Sequence, residues 1–337
     1  MLVVGDSLIA GQGLRENDKF YSLTRDWLET TVFSAKRKVA LKNHSHSGAS
    51  IYLSHEERKA IEEADKPLDK SYSPEVNISF PSISKQVQIA RMEYLHDGVS
   101  PSDVGLVMVS GGITNMGVEG VINPFRDSDK LRNDIETYCH EYMGRLLDET
   151  ASLFPRALIA VIGYYPMISP KSSTGMVYNA ILELYKVPGP AKPVMNNIVT
   201  KQFFKILHAG MTKRSRIWLK GSDEKLSQAV RELNVRFGEE RALFIGSPID
   251  ESTCFGTKDS LLWKMAKKGR SDDDLYDERL TVCAEAIRDV KDLDLAFRER
   301  FCQLSGLGHP NVEGAAAYAE AIKRSLAPRF AALSPAC

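Results

Sequence analysis

Short apolar runs at four places constrain the fold of this chain more than any other feature. They are Leu2–Val4, Val104–Val109, Ala157–Ile162 and Ala242–Ile245. Runs of this kind are typical of strands that are buried on both faces of a parallel sheet. Val39–Leu41 is a fifth, weaker example. The sequence therefore predicts five parallel strands.

Helical patterns separate these strands. Apolar side chains recur there at three- and four-residue spacing, which indicates helices with one buried face. The clearest stripes are Ile83, Val87, Ala90 and Tyr94; Leu131, Ile135, Tyr138, Tyr142 and Leu146; Leu226, Val230, Leu233 and Phe237; and Val312, Ala315, Ala319 and Ile322. Ser222 is expected to cap the third of these helices and Gly238 to end it. Strands and helices that alternate in this way predict an α/β fold with helices on both faces of the sheet.

Three segments depart from this alternation. Residues 52–80 are rich in charged residues, Ser and Pro, and are expected to form a surface excursion. Residues 164–220 and 248–300 are expected to be insertions into a single domain that spans residues 1–337. The first insertion follows the carboxyl end of a strand, where segments that shape a substrate site also belong.

Charge and hydropathy exclude some kinds of partner. The 44 Lys and Arg residues balance the 44 Asp and Glu residues, which argues against nucleic-acid binding driven by charge. No apolar stretch approaches the roughly 20 residues that a membrane-spanning helix needs, so no transmembrane segment is predicted. The oligomeric state is left open.

Five cysteines, at positions 139, 254, 283, 302 and 337, are scattered and contain no Cys-x-x-Cys pair. This pattern predicts neither a disulfide scaffold nor a structural zinc site, and one or two bridges stay open. The charged and apolar segments of a signal peptide are missing. Because Met1 directly precedes the first apolar run, we expect that a native N-terminus has been trimmed. The location of the protein, including a secreted or periplasmic one, is therefore left open.

Two polar residues stand at positions that suit catalysis. Ser7 follows the first predicted strand in Gly5-Asp6-Ser7-Leu8, at the sheet edge where such folds place their sites. His309 precedes the last predicted helix, and Pro310 restricts the backbone beside it. A serine and a histidine on two rigid turns are the minimum for an activated hydroxyl. Asp6, next to this serine, is expected to brace the turn.

Motifs of several other chemistries are missing from the sequence. It contains no Gly-x-x-x-x-Gly-Lys phosphate loop, no His-Glu-x-x-His zinc helix and no Gly-x-Ser-x-Gly nucleophile turn. The usual α/β-hydrolase arrangement is therefore disfavoured.

The chain resembles the SGNH, or GDSL, hydrolase superfamily of serine esterases and lipases. The family's first block is matched by Val4-Gly5-Asp6-Ser7-Leu8 and its lone second-block glycine by Gly48. Its last block is matched by His309-Pro310-Asn311, with Gly314 following. These blocks occur in the family's order and cover nearly the whole chain.

The resemblance implies a three-layer α/β/α sandwich with a flavodoxin-like parallel sheet in the order 2-1-3-4-5. It also implies that Ser7 is the nucleophile and His309 the general base, with no metal or organic cofactor. The oxyanion hole would comprise the backbone N–H groups of Ser7 and Gly48 and an asparagine side chain. The family's third block, Gly-x-Asn-Asp, is replaced here by Gly112-Ile113-Thr114-Asn115. We assign the side-chain donor to Asn115, with Thr114 as the alternative.

A second departure concerns the group that orients the histidine. The family usually carries an aspartate three residues before it, whereas this chain has Gly306. Some relatives use a main-chain carbonyl instead, which residues 305–308 could supply. The carboxylate of Asp250 or Glu251, beyond the fifth strand, could serve in place of that carbonyl.

The implied activity is the hydrolysis of carboxylic esters through an acyl-enzyme, on a small-molecule or lipid substrate. Phe203–Leu207 and Tyr164–Met167 are expected to line an acyl groove, or else to belong to the core. Three further functions remain open: a carbohydrate O-acetylesterase, an acyltransferase and a catalytically silent binding member of the family.

Overall fold

The strands form one sheet around which the rest of the chain is arranged. A computed structural model of the protein describes residues 1–63, 72–184, 198–290 and 299–330. The five strands are parallel and lie in the order 2-1-3-4-5, as predicted. They are β1 (Leu2–Val4), β2 (Lys42–Asn43), β3 (Leu106–Val109), β4 (Leu158–Ile162) and β5 (Ala242–Ile245).

The register of the sheet brings the ends of its first three strands together. Leu2 of β1 pairs with Lys42 of β2 on one side and with Val107 of β3 on the other. Because all five strands are parallel, their carboxyl ends meet at one edge. The loops after β1, β2 and β3 therefore open onto the same crevice, as is usual for this topology.

Thirteen α-helices lie in the described ranges. They are α1 (Ser7–Ala10), α2 (Phe20–Trp27), α3 (His55–Glu63), α4 (Ile83–His96), α5 (Ile113–Met116), α6 (Val118–Ile122), α7 (Ser128–Ile135), α8 (Met143–Leu153), α9 (Thr174–Leu184), α10 (Ile198–Phe237), α11 (Tyr276–Val290), α12 (Glu299–Gln303) and α13 (Val312–Phe330). A π-helical stretch, Glu136–Tyr142, joins α7 to α8. No helix of the described ranges combines the length and the apolar character needed to cross a membrane.

Two groups of helices cover the sheet. Helices α2 and α13 pack against each other, while α4, α8 and α10 form a second packed group. The β1 and β3 side chains are buried, and one large hydrophobic core reaches from Met1 to Leu326. Burial of this apolar surface is the main stabilising contribution to the sandwich.

Two predicted boundaries differ from the structure. The second strand is Lys42–Asn43 rather than Val39–Leu41, because Met1 O accepts a hydrogen bond from Lys42 N and so sets the pairing with β1. Ser222 does not cap a helix: it lies inside α10, and its hydroxyl donates to Leu219 O within that helix. Gly238 follows the end of α10 with a positive φ of 66°, as predicted.

The predicted surface excursion 52–80 is wrong for its last part. Val76, Ile78 and Phe80 are buried, because they pack with Ala286 of α11 in a second, smaller core. The alternation of apolar residues at 76, 78 and 80 was overlooked because the preceding stretch is rich in charged residues and Pro.

The proposed insertions contain helices, and each has a part outside the described residues, 185–197 in the first and 291–298 in the second. The second is not a solvated surface segment, since Leu262 and Arg279 are fully buried. A disulfide joins Cys283 of α11 to Cys302 of α12. Cys139 and Cys254 are buried free thiols, and Cys337 lies outside the described residues. That the chain is a single domain stays a prediction.

Candidate active site

The turn after β1 presents Ser7 as the first residue of α1. Gly5 has a φ of 144°, and a Cβ at this position would lie 2.6 Å from Ser110 O and equally close to Ile9. Only glycine allows so close a contact with β3. The backbone can therefore bend sharply enough to bring Ser7 to the sheet edge, where the residue is 8% exposed.

Asp6 braces this turn, as predicted. Its carboxylate caps α1 by accepting from Leu8 N at 3.1 Å and also accepts from the hydroxyls of Ser110 (2.6 Å) and Tyr164. Burial raises the pKa of Asp6, and these three hydrogen bonds oppose that rise. All of its described contacts hold the turn, and none of them is with His309.

The loop before α13 brings His309 to this serine. His309 Nε2 lies 2.7 Å from Ser7 Oγ, although 302 positions separate the two residues. The histidine's backbone is held by Trp263, which donates its N–H to His309 O and accepts from Gly308 N. The Tyr165 hydroxyl donates to Gly308 O at 2.8 Å. The imidazole is therefore fixed by a short backbone pairing and by a side chain that follows β4.

The environment of His309 keeps its ring neutral. Burial is the main cause that lowers its pKa to about 4, and the charge of Arg279 acts in the same direction. The carbonyl groups of Ser305 and Gly306 and the carboxylate of Asp273 act to raise the pKa. Neither carbonyl meets Nδ1 with hydrogen-bond geometry, so this buried nitrogen has no partner among the described residues. The predicted carbonyl segment thus lies beside the ring without a formal hydrogen bond.

The alternative that Asp250 or Glu251 orients His309 is not supported. The Asp250 carboxylate accepts from Ser252 N and from Thr253 Oγ1 within its own turn. Glu251 pairs with Arg216, with 2.9 Å between Oε2 and Nη2. Both carboxylates are thus used by neighbours other than His309.

Gly48 and Ser7 present backbone N–H groups at the crevice. In the described part of the chain, neither N–H donates to another protein group. Gly48 has a φ of 83°, and a Cβ there would lie 2.5 Å from Asn77 Oδ1 and from Ile78 N. A larger residue would therefore displace the segment packed against it.

The structure does not bring the Asn115 amide to these two N–H groups. Asn115 Oδ1 accepts from Ile51 N at 2.9 Å, and its Nδ2 donates to Tyr52 O at 3.1 Å. Thr114 does line the crevice, but its hydroxyl donates to Ala49 O at 2.6 Å. Neighbouring residues on a helix point about 100° apart. The one-position shift of asparagine in α5 thus turns its side chain toward the loop that follows Gly48.

The crevice is a cavity of about 440 Å³. Its polar lining includes Ser7, Gly48, Asn77, Thr114 and His309. Its apolar lining comes mainly from α6, α9, the segment after β4 and the stretch from α12 to His309, with one residue of α10. It includes Ile122, Met167, Val177, Ala180, Ile181, Met211, Phe301, Leu304 and Leu307. A reactive pair beside apolar walls suits a ligand with a polar bond and a hydrocarbon part.

Only part of the predicted acyl groove lines this cavity. Tyr164, Tyr165 and Met167 do so, whereas Phe203–Leu207 do not. Phe203 and Ile206 are 49% and 63% exposed on α10, so this part of the prediction is wrong. Asn77 was missed, because the residues around it carry no motif and its position beside Gly48 arises only in the folded chain.

No protein-family model and no curated protein matches the chain. Among solved structures, it is similar to a phospholipase A1 from Streptomyces albidoflavus NA297, with 12% identity over 96% of this chain and 97% of that one and a TM-score of 0.43. An extracellular lipase from Streptomyces rimosus shares 10% identity over 96% and 97%, with a TM-score of 0.46. Est24, a carbohydrate acetylesterase from Sinorhizobium meliloti, shares 13% identity over 98% of both chains, with a TM-score of 0.39. At these values the similarities assign no substrate and no catalytic residue.

Proposed function

We propose that this protein is a serine ester hydrolase of the SGNH type, with Ser7 as nucleophile and His309 as general base. The observation that carries the proposal is the 2.7 Å contact between Ser7 Oγ and His309 Nε2 at the wall of a 440 Å³ cavity. A neutral imidazole at hydrogen-bond distance from a hydroxyl is the arrangement that activates serine.

In the first half of the reaction, Ser7 Oγ attacks the ester carbonyl carbon while its proton moves to His309 Nε2. The carbonyl oxygen becomes an oxyanion in the tetrahedral intermediate. Collapse of that intermediate breaks the bond to the alcohol oxygen, which takes the proton back from Nε2 and leaves as the alcohol. Because the pKa of His309 is lowered to about 4, its ring is in the unprotonated form, the form that can accept a proton, at any pH well above that value.

Three donors are proposed for the oxyanion. The backbone N–H groups of Ser7 and Gly48 are two of them. The third is the side-chain amide of Asn77, which lines the same cavity and lies against Gly48, because the Asn115 amide is used by the backbone of residues 51 and 52. Removing one such donor commonly lowers the turnover rate on the order of 100-fold.

Water completes the cycle by hydrolysing the acyl-enzyme. His309 Nε2 accepts a proton from water as the oxygen attacks the acyl carbon. Ser7 Oγ then leaves with that proton, and the carboxylic acid is released. This cycle needs only the described side chains, backbone donors and water.

The cavity lining favours esters with an uncharged hydrocarbon acyl group. The apolar side chains of α6, α9 and the stretch from α12 to His309, with Met211 of α10, would contact the acyl chain. Glu57 and Glu119 are the carboxylates of the lining, and no Lys or Arg from the described ranges belongs to it. A substrate that carries a negative charge would therefore be repelled. This lining supports a lipid-like or aryl ester over an acetylated sugar.

The same contacts bear on two alternative functions, a silent binding role and an acyltransferase activity. A silent binding protein would not need the Ser7–His309 contact or two uncommitted N–H groups beside it. An acyltransferase would use the same chemistry with an alcohol in place of water. The products distinguish it from a hydrolase.

The test is hydrolysis of p-nitrophenyl esters with acyl chains from acetate to palmitate, by wild type and by Ser7→Ala. Ser152→Ala, an exposed serine on α8, is the matched control. We expect the wild type and the control to be active, and Ser7→Ala to lose activity by more than about 1,000-fold. Activity of Ser7→Ala within tenfold of wild type would contradict the serine mechanism. Wild-type inactivity on every ester, with binding of the same esters retained, would identify a binding protein.

A further inference from the structure

Three charged side chains form a buried cluster behind the proposed catalytic histidine. Arg279 of α11 is fully buried, Glu75 is 5% exposed and Asp273 is 7% exposed. The guanidinium pairs with both carboxylates, at 3.0 Å from Nε to Glu75 Oε2 and at 3.1 Å from Nη1 to Asp273 Oδ2. We refer to these three residues as the buried charge cluster.

Burying this cluster costs free energy, because each charge loses its hydration. Part of that cost is offset by further donors. Gly13 N and Gln12 Nε2 donate to the Glu75 carboxylate, and Leu275 N donates to Asp273 Oδ1. Burial raises the pKa of Glu75, while the charge of Arg279 opposes that rise. A cluster that costs this much free energy to bury is expected to hold another part of the structure in place.

The cluster contacts the loop that carries His309. Arg279 Nη1 donates to Gln303 O at 3.2 Å. Gln12, which donates to the Glu75 carboxylate, also donates to Ser305 Oγ at 2.7 Å. The closest approach is at Gly306, where a Cβ would lie 2.4 Å from Asp273 Oδ2 and 2.9 Å from Arg279 Nη2.

Position 306 is where the resemblance places an aspartate. The carboxylate of Asp273 occupies the space that a side chain at position 306 would need, although Asp273 comes from a much earlier segment of the chain. Gly306 and His309 belong to the same turn, since His309 N donates to Gly306 O at 3.0 Å.

We propose that Asp273, held by Arg279 and Glu75, is the positioning residue for His309, in place of the carboxylate that is missing at position 306. Asp273 fixes the Ser305–Gly306 turn beside the imidazole. Its negative charge also favours the protonated form of the ring. Arg279 in turn fixes Asp273. This inference rests on the proposed function, since positioning has meaning only if His309 acts as the base.

The charges around the imidazole make the proposal testable. The described groups that influence His309 are Arg279 on α11 and Asp273 before it, together with the Ser305 and Gly306 carbonyls of its own loop. Ser7 on α1 faces Nε2. Asp273 raises the pKa of His309, and Arg279 lowers it. Asp273→Asn therefore should lower the His309 pKa, whereas a purely structural change would have no defined sign.

The experiment measures the His309 pKa directly, by NMR titration of the ring, with His309→Gln used to assign the signal. It compares wild type with Asp273→Asn and with Asp274→Asn, whose side chain is exposed one residue further on. The same three proteins are assayed with a p-nitrophenyl ester. We expect Asp273→Asn to lower the ring pKa and to lower kcat about tenfold with KM nearly unchanged, and Asp274→Asn to match wild type.

A double variant guards against simple misfolding. Asp273→Gly with Gly306→Asp moves the carboxylate to the position that the family uses and leaves Arg279 an acidic partner. Gly306 has no positive φ that would disfavour this change. We expect Asp273→Gly alone to lose activity and the double variant to regain most of it.

Two results would overturn the proposal. One is an unchanged ring pKa and a kcat within twofold of wild type in Asp273→Asn. The other is a double variant that folds, by its thermal midpoint, but is no more active than Asp273→Gly. If the wild type has no Ser7-dependent activity, the proposed function fails, whereas the NMR titration still reports whether Asp273 acts on His309.

Discussion

The hydroxyl of Tyr165, in the segment after β4, donates to the carbonyl oxygen of Gly308 at 2.8 Å, one residue before His309. Tyr165 also lines the cavity. The end of β4 and the loop before α13 are thus joined by one hydrogen bond beside the proposed reacting atoms. The position of the imidazole therefore depends on the sheet as well as on its own loop.

Tyr165→Phe removes this hydrogen bond and keeps the ring. We expect kcat to fall by about 3- to 10-fold and the free energy of unfolding to fall by about 1 kcal/mol, since a partly buried carbonyl loses its donor. The measurements are ester hydrolysis and urea unfolding. Tyr142→Phe is the control, because the ring of Tyr142 packs against Tyr138 and Tyr52. Equal effects in both variants would argue against a role for the Tyr165 hydroxyl.

Asn77→Ala and Asn115→Ala should separate an oxyanion donor from a structural amide. We expect Asn77→Ala to lower kcat about 100-fold with a nearly unchanged thermal midpoint. Asn115→Ala should instead lower the free energy of unfolding by about 1–3 kcal/mol, because Ile51 N and Tyr52 O lose their partner.

The reverse pattern, with a large loss of kcat and unchanged stability in Asn115→Ala, would restore Asn115 as the donor. Thr114→Val completes the series. Its loss of the hydroxyl contact with Ala49 O is expected to affect stability more than turnover.

The pH dependence of kcat/KM should show an unusually low acid limb. His309 must be neutral to accept a proton, and its pKa is lowered to about 4. Activity should thus stay constant as the pH falls through the ordinary histidine pKa of about 6.5 and should be halved near pH 4. A rate profile measured on an uncharged ester tests this. An acid limb near pH 6.5 would contradict the buried, neutral imidazole.

Ala180 of α9 lies in the cavity wall and is buried. Ala180→Phe should fill part of the acyl site, so that kcat/KM for long-chain esters falls at least tenfold while that for acetate changes little. The readout is the chain-length profile. Ala209→Phe on α10, an exposed position outside this cavity, is the control. An unchanged profile in Ala180→Phe would place the acyl chain elsewhere.

The disulfide between Cys283 and Cys302 joins α11 to α12, and so ties the helix of Arg279 to the loop before His309. With 19 positions between its ends, the bond is expected to stabilise the fold by about 3 kcal/mol. Unfolding with and without reductant measures this, and a Cys283→Ser/Cys302→Ser variant should be insensitive to reductant. Full stability of that variant would show that the bond contributes little.

The sequence predicted the sheet because its strands are locally encoded. The apolar runs of β1, β3, β4 and β5 predict burial on both faces of the sheet from the residues of each run alone. Ser7 and His309 were found for a similar reason, since each sits in a short motif. β2 was misplaced because two half-buried residues, Lys42 and Asn43, carry no such pattern.

The supporting residues of the site could not be found in this way. Asn77 and Asp273 come from segments without motifs, and each acquires its role from a contact with a distant part of the chain. Tyr165 was expected at the acyl groove, but its hydrogen bond to Gly308 O was not predicted. Asp273 shows this best. Its role depends on the lack of a side chain at position 306, which the sequence alone shows only as a missing carboxylate.

The 302 positions between Ser7 and His309 have a consequence for synthesis. A ribosome that adds about 5–20 residues per second needs roughly 15–60 seconds to pass from one to the other. During this time the nascent chain carries the hydroxyl without its base. A chain that terminates before His309, or that a protease clips before it, likewise lacks this base. Under the proposed function, ester cleavage would therefore begin only after His309 has been added and has folded against Ser7.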